Sequence, residues 1–180
     1  ELFVDLKNPR DTEEVEVFLA DDKKRENFYN LLCALGKALN IVLNAELTYA
    51  AVPKDELKQY QNTFIFFSKV RRSVKIRYCD AIDNREYEPL MQNLLDTHLS
   101  VAGLKQITNP IDILNKDDFE RELEELGSLR AKADAITSKL TRSISEKYHE
   151  NPAYYDSFSK RIKDALDQYK EKVISEAEYL

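Results

Sequence analysis

The stretch FYNLLCALGKALNIV, residues 28–42, decides the fold class of this chain. Its apolar residues recur every three or four positions, which is the spacing of one side of an α-helix. They are Phe28, Leu31, Leu32, Leu35, Ala38, Leu39 and Val42. This stripe is widened to nearly the full circumference by Ala34, Ile41 and Ala45. A helix that is apolar nearly all round is usually buried, so the sequence predicts a central helix near residues 22–48.

The same spacing continues on the C-terminal side of this stretch. A long helix is predicted from about Asp55 to about Ala81, because apolar residues step by three or four throughout. Further helices are predicted near residues 90–95, 115–126, 128–148 and 152–173, with a connector over 100–116. No segment alternates at period two over the length of a strand. We therefore expect an all-α fold, an irregular domain of about six or seven helices without a sheet. The residues predicted to form its core are Leu32, Leu35, Leu39, Phe64, Phe67, Ile136, Leu140, Phe158 and Ile162.

Length and composition agree with a helical globular protein. The chain has 180 residues, 43% hydrophobic and 33% charged, with only 3 Gly and 5 Pro for tight turns. This length predicts one domain over residues 1–180. Two cysteines in apolar surroundings, and no long apolar run or signal sequence, predict a cytoplasmic protein. Ser175–Glu178 has the pattern of a capping box at the very end, so we expect a fragment of something larger.

Charge is unevenly distributed along the chain. The net charge is -6, yet residues 51–80 carry seven Lys/Arg and three Asp/Glu, a balance of +4. At about 100° per residue, Lys58, Lys69, Arg72 and Lys75 fall within about 120° of one another on the predicted helix, with Ile65 and Ile76 on the same side. This face could contact phosphates or a partner protein, or it could simply be a solvated surface. The candidate contact residues are Lys58, Lys69, Arg71, Arg72, Lys75 and Arg77.

Residues for a known active-site chemistry are missing from the sequence. The three isolated glycines, at positions 36, 103 and 127, cannot form a phosphate-binding loop. His98 and His149 stand alone, without a second ligand at the spacing of a zinc site. We therefore expect no catalytic residue, no metal site and no cofactor in this chain.

Several segments are similar to a known family. They are EPLMQNLLDTH at 88–98, ITNPIDIL at 107–114, AKADAI at 131–136, NPAYY at 151–155 and SEAEYL at 175–180. In this order they resemble the C-terminal helical region of the restriction (R) subunit of type I restriction–modification enzymes, over nearly the whole chain.

The resemblance implies a place in a multi-domain motor. In that family the nuclease and the ATP-dependent translocase domains, with their ATP and Mg, lie upstream, and no residue here matches their motifs. The parent would be an ATP-dependent site-specific deoxyribonuclease. Two roles remain open for this chain: docking the motor onto the methyltransferase subunit, or contacting double-stranded DNA without reading its sequence. The acidic net charge favours docking over DNA contact.

Overall fold

The computed structural model describes residues 2–45, 52–80, 87–99 and 116–170. Of these residues 79% are helical, and none forms a strand, which confirms the predicted all-α fold. The described residues form seven α-helices: α1 (Thr12–Phe18), α2 (Asp22–Asn44), α3 (Lys54–Arg77), α4 (Glu88–Asn93), α5 (Lys116–Glu124), α6 (Leu129–Lys147) and α7 (Pro152–Lys170). A π-helical turn, Leu94–His98, continues α4. The predicted capping box at Ser175–Glu178 and nearly all of the connector lie outside the described residues.

Short polar side chains fix where these helices begin. Asp21 accepts a hydrogen bond from the backbone N–H of Lys24 at 3.0 Å, and Ser128 accepts one from Ala131 at 3.0 Å. Each bond satisfies one of the N–H groups that the first turn of a helix leaves unpaired. Pro89 occupies the first turn of α4, where its missing N–H costs nothing. Each of these start signals is local to its own helix.

The chain divides into two compact units. Unit 1 comprises Glu1–Val74 and Ala81–Pro110, and unit 2 comprises Lys75–Asp80 and Ile111–Leu180. Because a domain can contain two such units, the expectation of one domain over residues 1–180 stays a prediction.

In unit 1 the buried side of α2 packs against α3 and the α4 segment. Phe28, Leu32 and Leu39 of α2 are buried, as is Phe64 of α3. Gly36 allows a close approach of the helices, because a Cβ there would lie 3.0 Å from the Phe64 ring and 3.6 Å from Leu94. The opposite side of α2 is exposed at Leu31, Ala34, Ala38 and Ile41. The prediction of a helix buried all round was therefore wrong, since the described partners of α2 pack on one side only.

In unit 2 the core is built largely on small residues. Ala131, Ala133 and Ala135 of α6 are buried, as are Phe119 and Leu126. α7 contacts α6 through side chains that stay half-buried, such as Phe158 and Ile162. The nine predicted core residues thus have three outcomes. Leu32, Leu39 and Phe64 are buried, Leu140 is exposed, and the half-buried ones are Leu35, Phe67, Ile136, Phe158 and Ile162.

Among the described helices, none combines the length and apolar character that a membrane span requires.

Candidate functional site

The six candidate cations of α3 have different environments. Lys58 and Lys69 are exposed and Arg72 is half-buried. Arg71, Lys75 and Arg77 are buried. The structure therefore does not bring the six side chains to one exposed surface, and burial argues against phosphate contact by the last three.

Arg71 is bound inside unit 1. Its guanidinium pairs with both carboxylate oxygens of Glu88, with Nη1 at 3.1 Å from Oε2 and Nη2 in contact with Oε1. It also lies over the ring of Tyr29, 5.2 Å from the centroid. Both charged side chains are almost fully buried. Arg71 therefore joins α2, α3 and α4 inside unit 1, and its candidacy as a DNA or partner contact stays a prediction.

Arg77 has an equivalent role in unit 2. Its Nε and Nη2 donate to Oδ2 of Asp134, at 2.9 and 2.6 Å. The guanidinium is fully buried, whereas the carboxylate is 26% exposed. Within unit 2 this pair holds the C-terminal end of α3 against α6, and the candidacy of Arg77 as a DNA or partner contact stays a prediction. Helical spacing gave no sign of either pair, because the partners are 17 and 57 residues apart.

Cys79 ends α3 in a backbone conformation that usually belongs to glycine. Its φ is 46°, its N–H donates to the carbonyl of Ile76, and the N–H of Asp80 donates to that of Lys75. These two bonds form a Schellman motif, with Cys79 in the position that glycine normally takes. Burial raises the pKa of the thiol to about 11, so Cys79 is an unreactive structural residue at neutral pH.

An apolar groove runs between α2 and α3 in unit 1. Two adjoining cavities of about 190 and 310 Å³ share Leu35 as a wall. One is lined by Leu31, Thr63 and Phe67 among others, and the other by Ala38, Val42, Glu56, Leu57 and Tyr60. Leu31 is 51% exposed and Tyr60 46% exposed at its edges. Most of the residues that line the two cavities are apolar.

The exposed side of α2 beside this groove is nearly free of charge. Between residues 27 and 41 its exposed positions are Asn27, Asn30, Leu31, Ala34, Lys37, Ala38 and Ile41. Only Lys37 among them is charged, and Ile41 is 63% exposed. Charge depletion around exposed apolar residues distinguishes the centre of a protein interface from ordinary surface. The apolar stripe of α2 predicted a buried helix, so Leu31, Ala34, Ala38 and Ile41 were expected inside the fold rather than on this surface.

Unit 2 has a smaller exposed apolar surface between α6 and α7. A cavity of about 270 Å³ is lined by Ile136, Leu140, Phe158, Arg161 and Ile162 among others. Charged residues interrupt the outer side of α7, where Lys160, Lys163, Asp164 and Asp167 are exposed. This surface therefore lacks the nearly uncharged border that α2 gives the groove in unit 1.

The chemistry of metal binding has no counterpart in the described part of the chain. No group of three or more His, Cys, Asp or Glu side chains there could hold a metal ion. Gly36, which the sequence places before a lysine as in a phosphate-binding loop, lies inside α2 and packs on Phe64.

The described residues are thus all-helical or in loops, and unit 1 has an apolar groove between α2 and α3. A family model matches residues 11–180, described as type I restriction enzyme HindI endonuclease subunit-like, C-terminal. The chain belongs to this family, which confirms the resemblance seen in the sequence. Searches among curated proteins and among solved structures each found no match.

Proposed function

We propose that this chain is a non-catalytic domain of the R subunit that docks the motor onto the methyltransferase subunit of a type I restriction–modification enzyme. The observation that carries the proposal is the apolar groove between α2 and α3, beside which Lys37 is the one charged residue among the exposed positions of α2 from 27 to 41. Membership of the family supports the parent enzyme, a type I restriction endonuclease subunit.

The groove suits a protein better than a polyanion. Apolar and aromatic side chains that are half exposed in the free domain would be buried by a protein partner. A duplex-DNA interface is instead strongly positive, and this chain has a net charge of -6. Three of the six candidate cations are also buried in the domain.

The second candidate function is sequence-independent contact with double-stranded DNA. The exposure of Lys58 and Lys69, with Arg72 half-buried on the same helix, favours it. Two or three lysine and arginine contacts to phosphates would give a weak interaction that is sensitive to salt.

The remaining assignments follow from the same parent. ATP and Mg would act in the upstream domains, and none of the residues discussed here is assigned to hold them. A cytoplasmic location is supported by Cys33 and Cys79, which are buried free thiols of the kind a reducing compartment maintains.

Docking is tested by placing charges at the edge of the groove, at Leu31, and on the exposed side of α2 beside it, at Ile41. The double variant Leu31→Glu/Ile41→Glu, made in the full R subunit, should lower its affinity for the methyltransferase subunit at least tenfold without changing helix content. Leu129→Glu is the matched control, because Leu129 is 48% exposed but belongs to unit 2. Unchanged assembly of the double variant would contradict docking through this groove.

The DNA alternative is tested on the same subunit. If these lysines contact DNA, Lys58→Glu/Lys69→Glu should weaken binding to duplexes of any sequence. The affinity should also fall less steeply with added salt, by the amount expected from the loss of about two phosphate contacts. The docking proposal expects unchanged DNA binding in this variant and unchanged assembly with the methyltransferase subunit.

A further inference from the structure

The exposed side of α2 has the spacing of a coiled-coil seam. Asn27, Leu31, Ala34, Ala38 and Ile41 are separated by four, three, four and three residues, and all are exposed. This alternation keeps one line of side chains facing a second helix that packs at a small angle. Ala34 and Ala38 form the centre of the line, where their small side chains leave room for bulky residues of that second helix.

The two ends of the groove carry opposite charges. At one end Arg10 donates from Nη2 to Thr63 Oγ1 at 3.0 Å, and Lys24 lies seven residues before Leu31, on the same side of α2. At the other end Glu56 lines the groove, and the neighbouring charges of Lys54 and Asp55 offset each other. A helix carries a partial positive charge at its N-terminus and a negative one at its C-terminus. The charges of the groove therefore favour one direction for a helix that lies in it.

We propose that the groove, together with the exposed side of α2 beside it, binds an amphipathic helix of the methyltransferase subunit, oriented antiparallel to α2, with its N-terminus near Glu56 and its C-terminus near Arg10 and Lys24. The proposal rests on the docking function and adds the element, its chemistry and its direction. From Leu31 to Val42 the groove is about 16 Å long, which holds about three turns. The bound helix should present bulky aliphatic residues at heptad spacing toward Ala34 and Ala38.

Cross-linking in the assembled complex tests the direction. Asn30 and Lys37 lie one heptad apart on the exposed rim of α2 and outside the seam. Asn30→Cys and Lys37→Cys, each labelled with a benzophenone maleimide, provide the probes, and the native thiols are buried. Both probes should capture one segment of the methyltransferase subunit. The residue captured from position 37 should precede the one captured from position 30 by about seven positions.

Bulky substitutions test the close approach. Ala34→Trp should lower the affinity for the methyltransferase subunit at least tenfold, whereas Ala153→Trp, at an exposed alanine of α7, should leave it unchanged. Circular dichroism of both variants checks that the fold is retained.

The outcomes separate this inference from the docking function. If Leu31→Glu/Ile41→Glu blocks assembly but the captured residues run in the opposite order or scatter over several segments, the antiparallel helix is refuted and docking stands. If both that variant and Ala34→Trp assemble normally, docking through this groove fails and the helix fails with it. Capture of a second copy of this chain, or of another part of the R subunit, also overturns the inference.

Discussion

The two units each contain a buried arginine bound to a carboxylate, but the two carboxylates differ in their access to water. Glu88 of unit 1 is 2% exposed, and its Arg71 partner lies over Tyr29. Asp134 of unit 2 is 26% exposed, although Arg77 is fully buried. Burying both charges makes each depend on the other, because neither can regain hydration when its partner is removed. In unit 2, water can reach the position of the carboxylate. Removing the carboxylate of the ion pair is therefore expected to cost more stability in unit 1 than in unit 2.

Removing the carboxylate of unit 1 should have the largest effect. Glu88→Ala leaves the Arg71 guanidinium buried without its carboxylate, so we expect a loss of about 3–5 kcal/mol in the free energy of unfolding. Urea denaturation followed by circular dichroism measures it. Glu26→Ala, at an exposed position of α2, is the control and should change stability by less than about 0.5 kcal/mol. Replacing both partners, as in Arg71→Met/Glu88→Met, should cost less than Glu88→Ala alone. A larger loss in the double variant would show that packing, not charge, holds this site.

Removing the carboxylate of unit 2 should cost less. Asp134→Ala opens a site that is already partly hydrated, so water can solvate Arg77, and we expect a loss of about 2 kcal/mol. The same urea experiment measures this loss. Asp156→Ala is unsuitable as a control, because the Asp156 carboxylate accepts a hydrogen bond from the Tyr148 hydroxyl. Asp164→Ala, which is exposed, serves instead. A loss as large as that of Glu88→Ala would remove the difference between the two units.

The sequence predicted helices and their starts much better than it predicted which charges are buried. Periodicity reports which residues share one side of a helix, and Asp21 and Ser128 are local capping signals, so both could be seen in the sequence. Pairing of Arg71 with Glu88 depends on how α3 and α4 pack, and no local pattern encodes it. For the same reason the groove was missed. An apolar stripe on α2 looks identical whether a helix of this chain or a partner covers it.

The thiol of Cys79 should make unit 2 sensitive to alkaline pH. Its pKa is raised from an ordinary 9.0 to about 11, because burial disfavours the thiolate. As pH rises, the unfolded chain therefore loses this proton before the folded chain does. The buried thiol makes its full contribution to the free energy of unfolding below pH 9, and this contribution disappears as pH rises to about 11. Over that interval the wild type should lose about 1–2 kcal/mol more than Cys79→Ala, by urea denaturation at each pH. Parallel curves for the two proteins would contradict a buried thiol.

The smallest expected effect compares the two described glycines, one in each unit. At Gly36 an added Cβ would lie 3.0 Å from Cε2 of Phe64, a fully buried ring, whereas at Gly127 it would meet nothing within 4 Å. Alanine favours a helix interior, so Gly36→Ala gains propensity while it forces the ring to move. We expect the clash to outweigh the gain in helix propensity, because the Phe64 ring cannot turn into solvent. Gly36→Ala should therefore lower the free energy of unfolding, measured by urea denaturation, by about 1 kcal/mol. Gly127→Ala should be neutral or stabilising by about 0.5 kcal/mol. The decisive test repeats Gly36→Ala in a Phe64→Leu variant. The smaller side chain of Leu should remove most of the stability loss that Gly36→Ala causes. If the stability losses of Gly36→Ala and Phe64→Leu simply add in the double variant, the close approach of α2 to Phe64 is not what limits residue size at position 36.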